Sequence, residues 1–145
     1  MPVKAQPVLS GYAVAGPGGF SVSVRDQTMW FVGGGGEFVA SLGVGIGGEF
    51  GVFIDDTGWV LGGVSIDGVL QPPRRRGRVF VPLLAAGYSA LTGPESGLNA
   101  VNIGGGATWW MRERIGLRVE VRDHIDPSRF GGGHYWTVRA GIGFH

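Results

Sequence analysis

Residues Ile115 to His124 read IGLRVEVRDH, in which Ile115, Leu117, Val119 and Val121 alternate with Gly116, Arg118, Glu120 and Arg122. A period of two belongs to a β-strand, whose successive side chains leave opposite faces; a helix would repeat every 3.6 residues. The segment is a strand with one oily and one charged side. The C-terminal stretch agrees, setting Trp136, Val138, Ala140, Ile142 and Phe144 against Tyr135, Thr137, Arg139, Gly141 and Gly143.

Turn chemistry divides the rest of the chain at GPGGFSVSVRDQT, DDTG, QPPRRRG and ALTGPESG. The resulting strands fall at residues 7–14, 29–39, 43–53, 59–69, 79–88, 98–111, 115–124 and 134–144. Most have the 9 to 11 residues a tilted membrane-crossing strand needs, whereas soluble strands run to about 5 or 6. No segment reads as a helix. The first strand is poorly patterned, and Pro82 removes a ladder donor from the fifth. The turns around Ser41 and Glu113 are tight, and the connections after Val14, Tyr88 and His124 are longer. The expectation is an all-β fold, a closed antiparallel eight-stranded up-and-down transmembrane β-barrel. It forms a single domain over residues 1–145, with 1–6 as an N-terminal tail.

In a soluble barrel the apolar set would face inward, and in an outer-membrane barrel the order reverses. Aromatic placement favours the second. With a periplasmic N-terminus, Trp30, Phe53, Trp59, Tyr88, Tyr135 and Trp136 fall at the outer strand ends, and Phe38, Trp109, Trp110 and Phe144 at the inner ends. Two such belts are what a membrane barrel places at its two interfaces.

IGGGATWWMRERIGLRVEVRDHI, a short loop and HYWTVRAGIGFH resemble the last three strands of the small outer-membrane barrels of the OmpA and OmpX type. That family typically ends with a glycine-rich strand, a tight turn, an alternating Arg/Glu strand and a final strand closing on an aromatic, here Phe144 followed by His145. The resemblance implies an outer-membrane location, lipid neighbours and recognition of the C-terminal strand by the barrel assembly machinery.

The strands FVGGGGEFVA and NIGGGATWWM carry glycines at their centres, where glycine ordinarily weakens a strand. Parity explains them. Pairing the second and third strands about Ser41 sets Glu37 against Gly45 and Glu49 against Gly33. Pairing the sixth and seventh about Glu113 sets Thr108, Gly106 and Gly104 against Arg118, Glu120 and Arg122. An eight-stranded barrel has an interior just wide enough for side chains to fill, so a long side chain on one strand requires vacancy on the next.

Glu37, Glu49, Arg118, Glu120, Arg122 and Arg139 are the candidate lumen network, in which opposite charges can pair. His124, His134 and His145 sit at strand ends without an HExxH-like spacing and read as surface residues. No catalytic, cofactor or metal residue is assigned. Twelve basic against eleven acidic residues leave a net charge of +1, which gives no field for nucleic acid. Arg74, Arg75 and Arg76 read as a solvated turn, and GGGG and GGG are not phosphate loops because no helix follows them. With no cysteine there are no disulfides or thiolate sites. MPVKAQPVLS lacks the apolar run of a secretory signal.

These readings describe a monomeric, non-enzymatic, porin-like outer-membrane barrel with a side-chain-plugged lumen and a structural or surface-interaction role. Its surface ligand or protein partner is not written in the chain. One alternative is a lipid A-modifying enzyme using Ser128 near His124 or His134. The other is a soluble lipocalin-like barrel, echoed faintly in DTGWVLGG.

Overall fold

Eight strands follow one another around a closed antiparallel barrel: β1 Val8–Val22, β2 Arg25–Val39, β3 Val44–Asp55, β4 Val60–Leu70, β5 Phe80–Thr92, β6 Gly97–Trp110, β7 Ile115–Asp126 and β8 Gly133–Phe144. The computed structural model describes residues 6–22, 25–73, 77–94, 97–128 and 133–145. Arg74 to Arg76 and most of the N-terminal tail lie outside them. The end of the barrel that carries the C-terminus and the 40–43 and 111–114 turns is here the lower end.

Alternation sets the wall. On β7, Val119 is 46 % exposed while Glu120 is 1 % exposed, so the charged side faces the lumen and the oily side faces out. The same division runs along β8, with Val138 and Ile142 outside and Thr137 and Arg139 inside.

Two elements depart from their sequence signals. GPGGFSVSVRDQT reads as a loop, yet β1 continues to Val22 and pairs with β2 through Ser21↔Asp26. The glycines there mark close approach: a Cβ on Gly16 or Gly18 would run into the carbonyl oxygen of Val138 or Trp136 on β8. The β1–β8 ladder passes from Ala15↔Ala140 to Gly18↔Thr137, leaving out the rungs of Gly16 and of Pro17, which has no amide hydrogen to offer. Pro82 is accommodated differently. Trp110 N donates to Val79 O at 2.7 Å, and antiparallel alternation then turns the nitrogen of residue 82 away from β6. On its other side the β4–β5 ladder already ends at Leu70↔Leu84, so no donor is missed.

The lower turns decide the registers. β6 pairs with β7 through Thr108↔Arg118, Gly106↔Glu120 and Gly104↔Arg122, as the parity argument expects; β8, joined to β7 at the upper end, adds Glu120↔Arg139 and Arg122↔Thr137. β2 and β3 are shifted by two residues from the expected pairing, giving Glu37↔Gly47 and Gly35↔Glu49. The cause is the turn. Gly43 has φ 89, a left-handed conformation natural to glycine, and Gly43 N bonds Ala40 O while Ala40 N bonds Val44 O. That moves the centre of the hairpin to Leu42. A shift of two keeps each side chain on its face, so both carboxylates still face glycine.

Inner and outer glycines differ in what a side chain would meet. A Cβ on Gly106 would strike Val119 O and lie 2.7 Å from Glu120 Cα, both backbone atoms of β7. On the outward-facing Gly36 it would find Ser10 O at 3.5 Å, an ordinary contact. Gly106→Ala is therefore expected to cost about 1–3 kcal/mol, as overpacking does, and Gly36→Ala less than about 0.5 kcal/mol. Urea unfolding in detergent micelles measures both; equal losses would contradict steric vacancy as the role of Gly106.

Candidate functional site

Inward positions of five strands bring their charges together in the lower and middle lumen. Glu120 on β7 is the hub. Its Oε2 accepts from Arg118 Nη2 at 3.0 Å, and its Oε1 accepts from Arg122 Nη2 at 2.7 Å and from Arg139 Nη2 at 2.9 Å. Each arginine then reaches a second carboxylate. Arg118 Nη2 meets Glu37 Oε1 at 2.6 Å, Arg122 Nη1 meets Asp67 Oδ2 at 2.6 Å, and Arg139 grips Glu49 with two bonds of 2.7 Å. The fork of a guanidinium matches two carboxylate oxygens, and that match makes such pairs both strong and directional. All six residues expected in the lumen thus lie buried in one connected set.

Several members carry no warning in the charged alternation of β7. Asp67 sits in VSIDGV, where the inward parity of β4 (Leu61, Gly63, Ser65, Asp67, Val69) could have exposed it. Tyr12 donates to Glu49 Oε2 at 2.7 Å and lies under the Arg118 guanidinium, 3.9 Å from its ring centroid. Asn102 donates to Asp67 Oδ1 at 2.8 Å and to Ser89 Oγ at 2.9 Å, and Ser89 shares a hydrogen bond with Ser65 at 2.7 Å. The network continues as neutral polar groups across β4, β5 and β6.

Above it the lumen turns apolar. Met29, Phe31, Phe53, Leu61, Leu91 and Tyr135 form a buried cluster with Tyr12, Val14 and Ala100, and Phe20 and Leu98 pack against it. Two of the expected belt aromatics are corrected by this cluster: Phe53 and Tyr135 occupy inward parity and close the upper lumen. Trp110 is corrected as well, since it shares inward parity with Thr108 and turns at the lower mouth against His145, with ring centroids 4.9 Å apart. Trp30, Phe38, Tyr88, Trp109, Trp136 and Phe144 are on the outer surface, joined by Phe50 and Phe80, and Trp59 is exposed in the β3–β4 turn. Phe144 and Trp136 lie over the outward glycines of β1. A Cβ on Gly11 would come within 2.6 Å of the Phe144 ring, and one on Gly19 within 2.9 Å of Trp136. These two outer glycines thus seat aromatics, while the inner Gly47 and Gly104 make room for Glu37 and Arg122.

The histidines divide three ways. His124, read from the sequence as a surface residue, is buried in the lumen edge-on to Phe53, with ring centroids 5.7 Å apart. His134 pairs with Asp123, and His145 packs on Trp110. Ser128 is committed to the turn after β7: its N and Oγ donate to Asp126 Oδ1 at 2.9 and 2.6 Å. Asp126 is the buried last residue of β7. Among the described residues no group of three His, Cys, Asp or Glu could hold a metal ion.

The backbone that carries this arrangement has solved counterparts. Neisserial surface protein A superposes with a TM-score of 0.76 at 9% identity, over 95% of this chain and 97% of that one. The N-terminal β-barrel domain of Pseudomonas aeruginosa OprF gives 0.67 at 17% identity, over 94% and 95%. A de novo designed transmembrane β-barrel gives 0.62 at 17%, over 99% and 98%. The chain has the fold of the small outer-membrane barrels. No protein-family model matches it, and no curated protein matches it in sequence. The fold is thus shared with these barrels.

Proposed function

We propose that this chain is a monomeric outer-membrane barrel whose lumen is closed by its own side chains, and that it acts through its lipid-facing and exposed surfaces without transporting solutes. The observation that carries the reading is the two-tier lumen. Charges from β2, β3, β4, β7 and β8 are tied across its middle, and an apolar cluster lies above them. The cavity at the lower mouth, between Glu37, Trp110 and Arg118, holds about 20 Å³, room for about one water molecule. An outer wall of Val, Ile, Leu and aromatic side chains supports lipid as its solvent. The lumen is structural in this reading, and no catalysis is assigned to it. The remaining partners are membrane lipids and, through the C-terminal strand, the barrel assembly machinery.

Wild-type protein in planar bilayers is expected to show no steady single-channel current, because eight strands enclose too little space for a wide path once side chains fill it. Discrete ohmic conductance in a rigorously purified sample would overturn the closed lumen and make the charged network an ion pathway.

A further inference from the structure

Ser21 on β1 and His134 on β8 are register partners, brought together only where the barrel closes. Their neighbours Phe20 and Tyr135 stack inside the barrel at 4.4 Å, so alternation places Ser21 and His134 side by side on the outer wall. His134 Nδ1 meets Asp123 Oδ2 of β7 at 2.7 Å, with the two side chains 44% and 30% exposed. Asp123 is in turn the rung partner of Trp136, an outward aromatic. The three polar residues thus adjoin on the outer faces of β1, β8 and β7 toward the upper end, Asp123 reaching His134 diagonally from the rung of Trp136. On its other side Ser21 Oγ donates to Asp26 Oδ1 of β2 at 2.8 Å.

We propose that Ser21, His134 and Asp123 form an ester-cleaving site on the outer wall, with acyl esters of membrane lipids as the substrate class. A serine hydroxyl needs an adjacent base, and the base needs a third group to hold it. With Asp123 accepting the Nδ1 proton of His134, Nε2 keeps the lone pair that serves as the base, and Ser21 is the register partner of this histidine on β1. Side chains directly opposite on one face have Cβ atoms about 4.5–5.5 Å apart. A staggered rotation about χ1 of Ser21 therefore carries Oγ from Asp26 to His134.

The chemistry then balances without an oxidant or metal. Ser21 Oγ attacks the ester carbonyl carbon as its proton passes to His134 Nε2. The bond to the alcohol oxygen breaks, and His134 returns the proton to that oxygen, releasing the alcohol and leaving an acyl ester on Ser21. Water, losing a proton to the same nitrogen, attacks this ester; the proton goes back to Ser21 Oγ, and a fatty acid leaves. Ser21 and His134 are the catalytic residues and Asp123 is a positioning residue.

Location selects the substrate. Trp136 is an aromatic of the kind that sits at a membrane-water interface, and Val121 and Val138 continue the exposed apolar wall below it. A lipid held there would lay its acyl chain on that wall and its ester beside the three residues. This inference goes beyond the closed-lumen reading and stands whether or not the lumen conducts; it rests only on the outer wall facing lipid.

The test uses the full chain refolded into vesicles, each variant first shown to be folded by its heat-sensitive gel mobility. A fluorophosphonate probe is expected to modify Ser21, located by mass spectrometry. The adduct should be abolished in Ser21→Ala, about 100-fold slower in His134→Ala, and slowed in Asp123→Asn. Vesicles of diacyl phospholipid, with or without an acylated saccharide lipid, should release fatty acid, and the arm that does so identifies the source of the ester. Absence of a Ser21 adduct in folded protein, an adduct rate indifferent to His134→Ala, or no fatty acid from either lipid would each overturn the proposal.

Discussion

Glu120→Ala is expected to lower the unfolding free energy by about 3 kcal/mol, the lower end of the 3–5 kcal/mol that loss of one partner of a buried ion pair costs. The side chain is fully buried and bonded to Arg118, Arg122 and Arg139. Removing it leaves three guanidiniums around a void with their mutual repulsion uncompensated. The estimate sits at the low end because each arginine keeps a second carboxylate, namely Glu37, Asp67 and Glu49 respectively. Glu120→Gln retains the shape and an acceptor oxygen and should lose less. The measurement is equilibrium urea unfolding in lipid or detergent, followed by gel mobility. A loss below about 1 kcal/mol for the alanine variant would mean that water solvates the arginines, contradicting a closed lumen.

Val119→Arg should impair insertion by about 2–4 kcal/mol, the cost of an arginine facing lipid near the bilayer midplane. Val119 lies mid-strand on β7, outward, between rung partners Ala107 and Ala140, so the new side chain has no polar neighbour at its level. Asp56→Arg in the exposed β3–β4 turn is the matched control and should change little. The readout is the folded fraction recovered in vesicles. Equal yields for the two variants would show that the oily side of β7 does not meet lipid.

These expectations draw unequally on the sequence and on the folded barrel. Which face a side chain takes is local: the backbone of a strand sends Arg118, Glu120 and Arg122 to one side and Val119 and Val121 to the other, and that was legible in ten residues. Where tight turns join strands, as at 111–114, the partners were legible too. At 40–43 they were not, because the left-handed conformation of Gly43 moves the hairpin centre by one residue and the register by two. Parity also placed Phe53 and Tyr135 inward, but their position near strand ends suggested belts, and only packing against Phe31, Leu61 and Leu91 shows an apolar upper lumen. The β1 glycines read as a turn because the alternative, close approach to β8, requires knowing that the two ends of the chain meet. Asp67 joining Arg122, Glu49 joining Arg139 and Ser21 standing beside His134 share that cause. The sequence by itself determined the facing of side chains and the number of strands, through the two-residue repeat of extended backbone. Tertiary structure alone decided which charges meet across the lumen and which residues adjoin at the seam, because closure brings together strands that no local spacing connects.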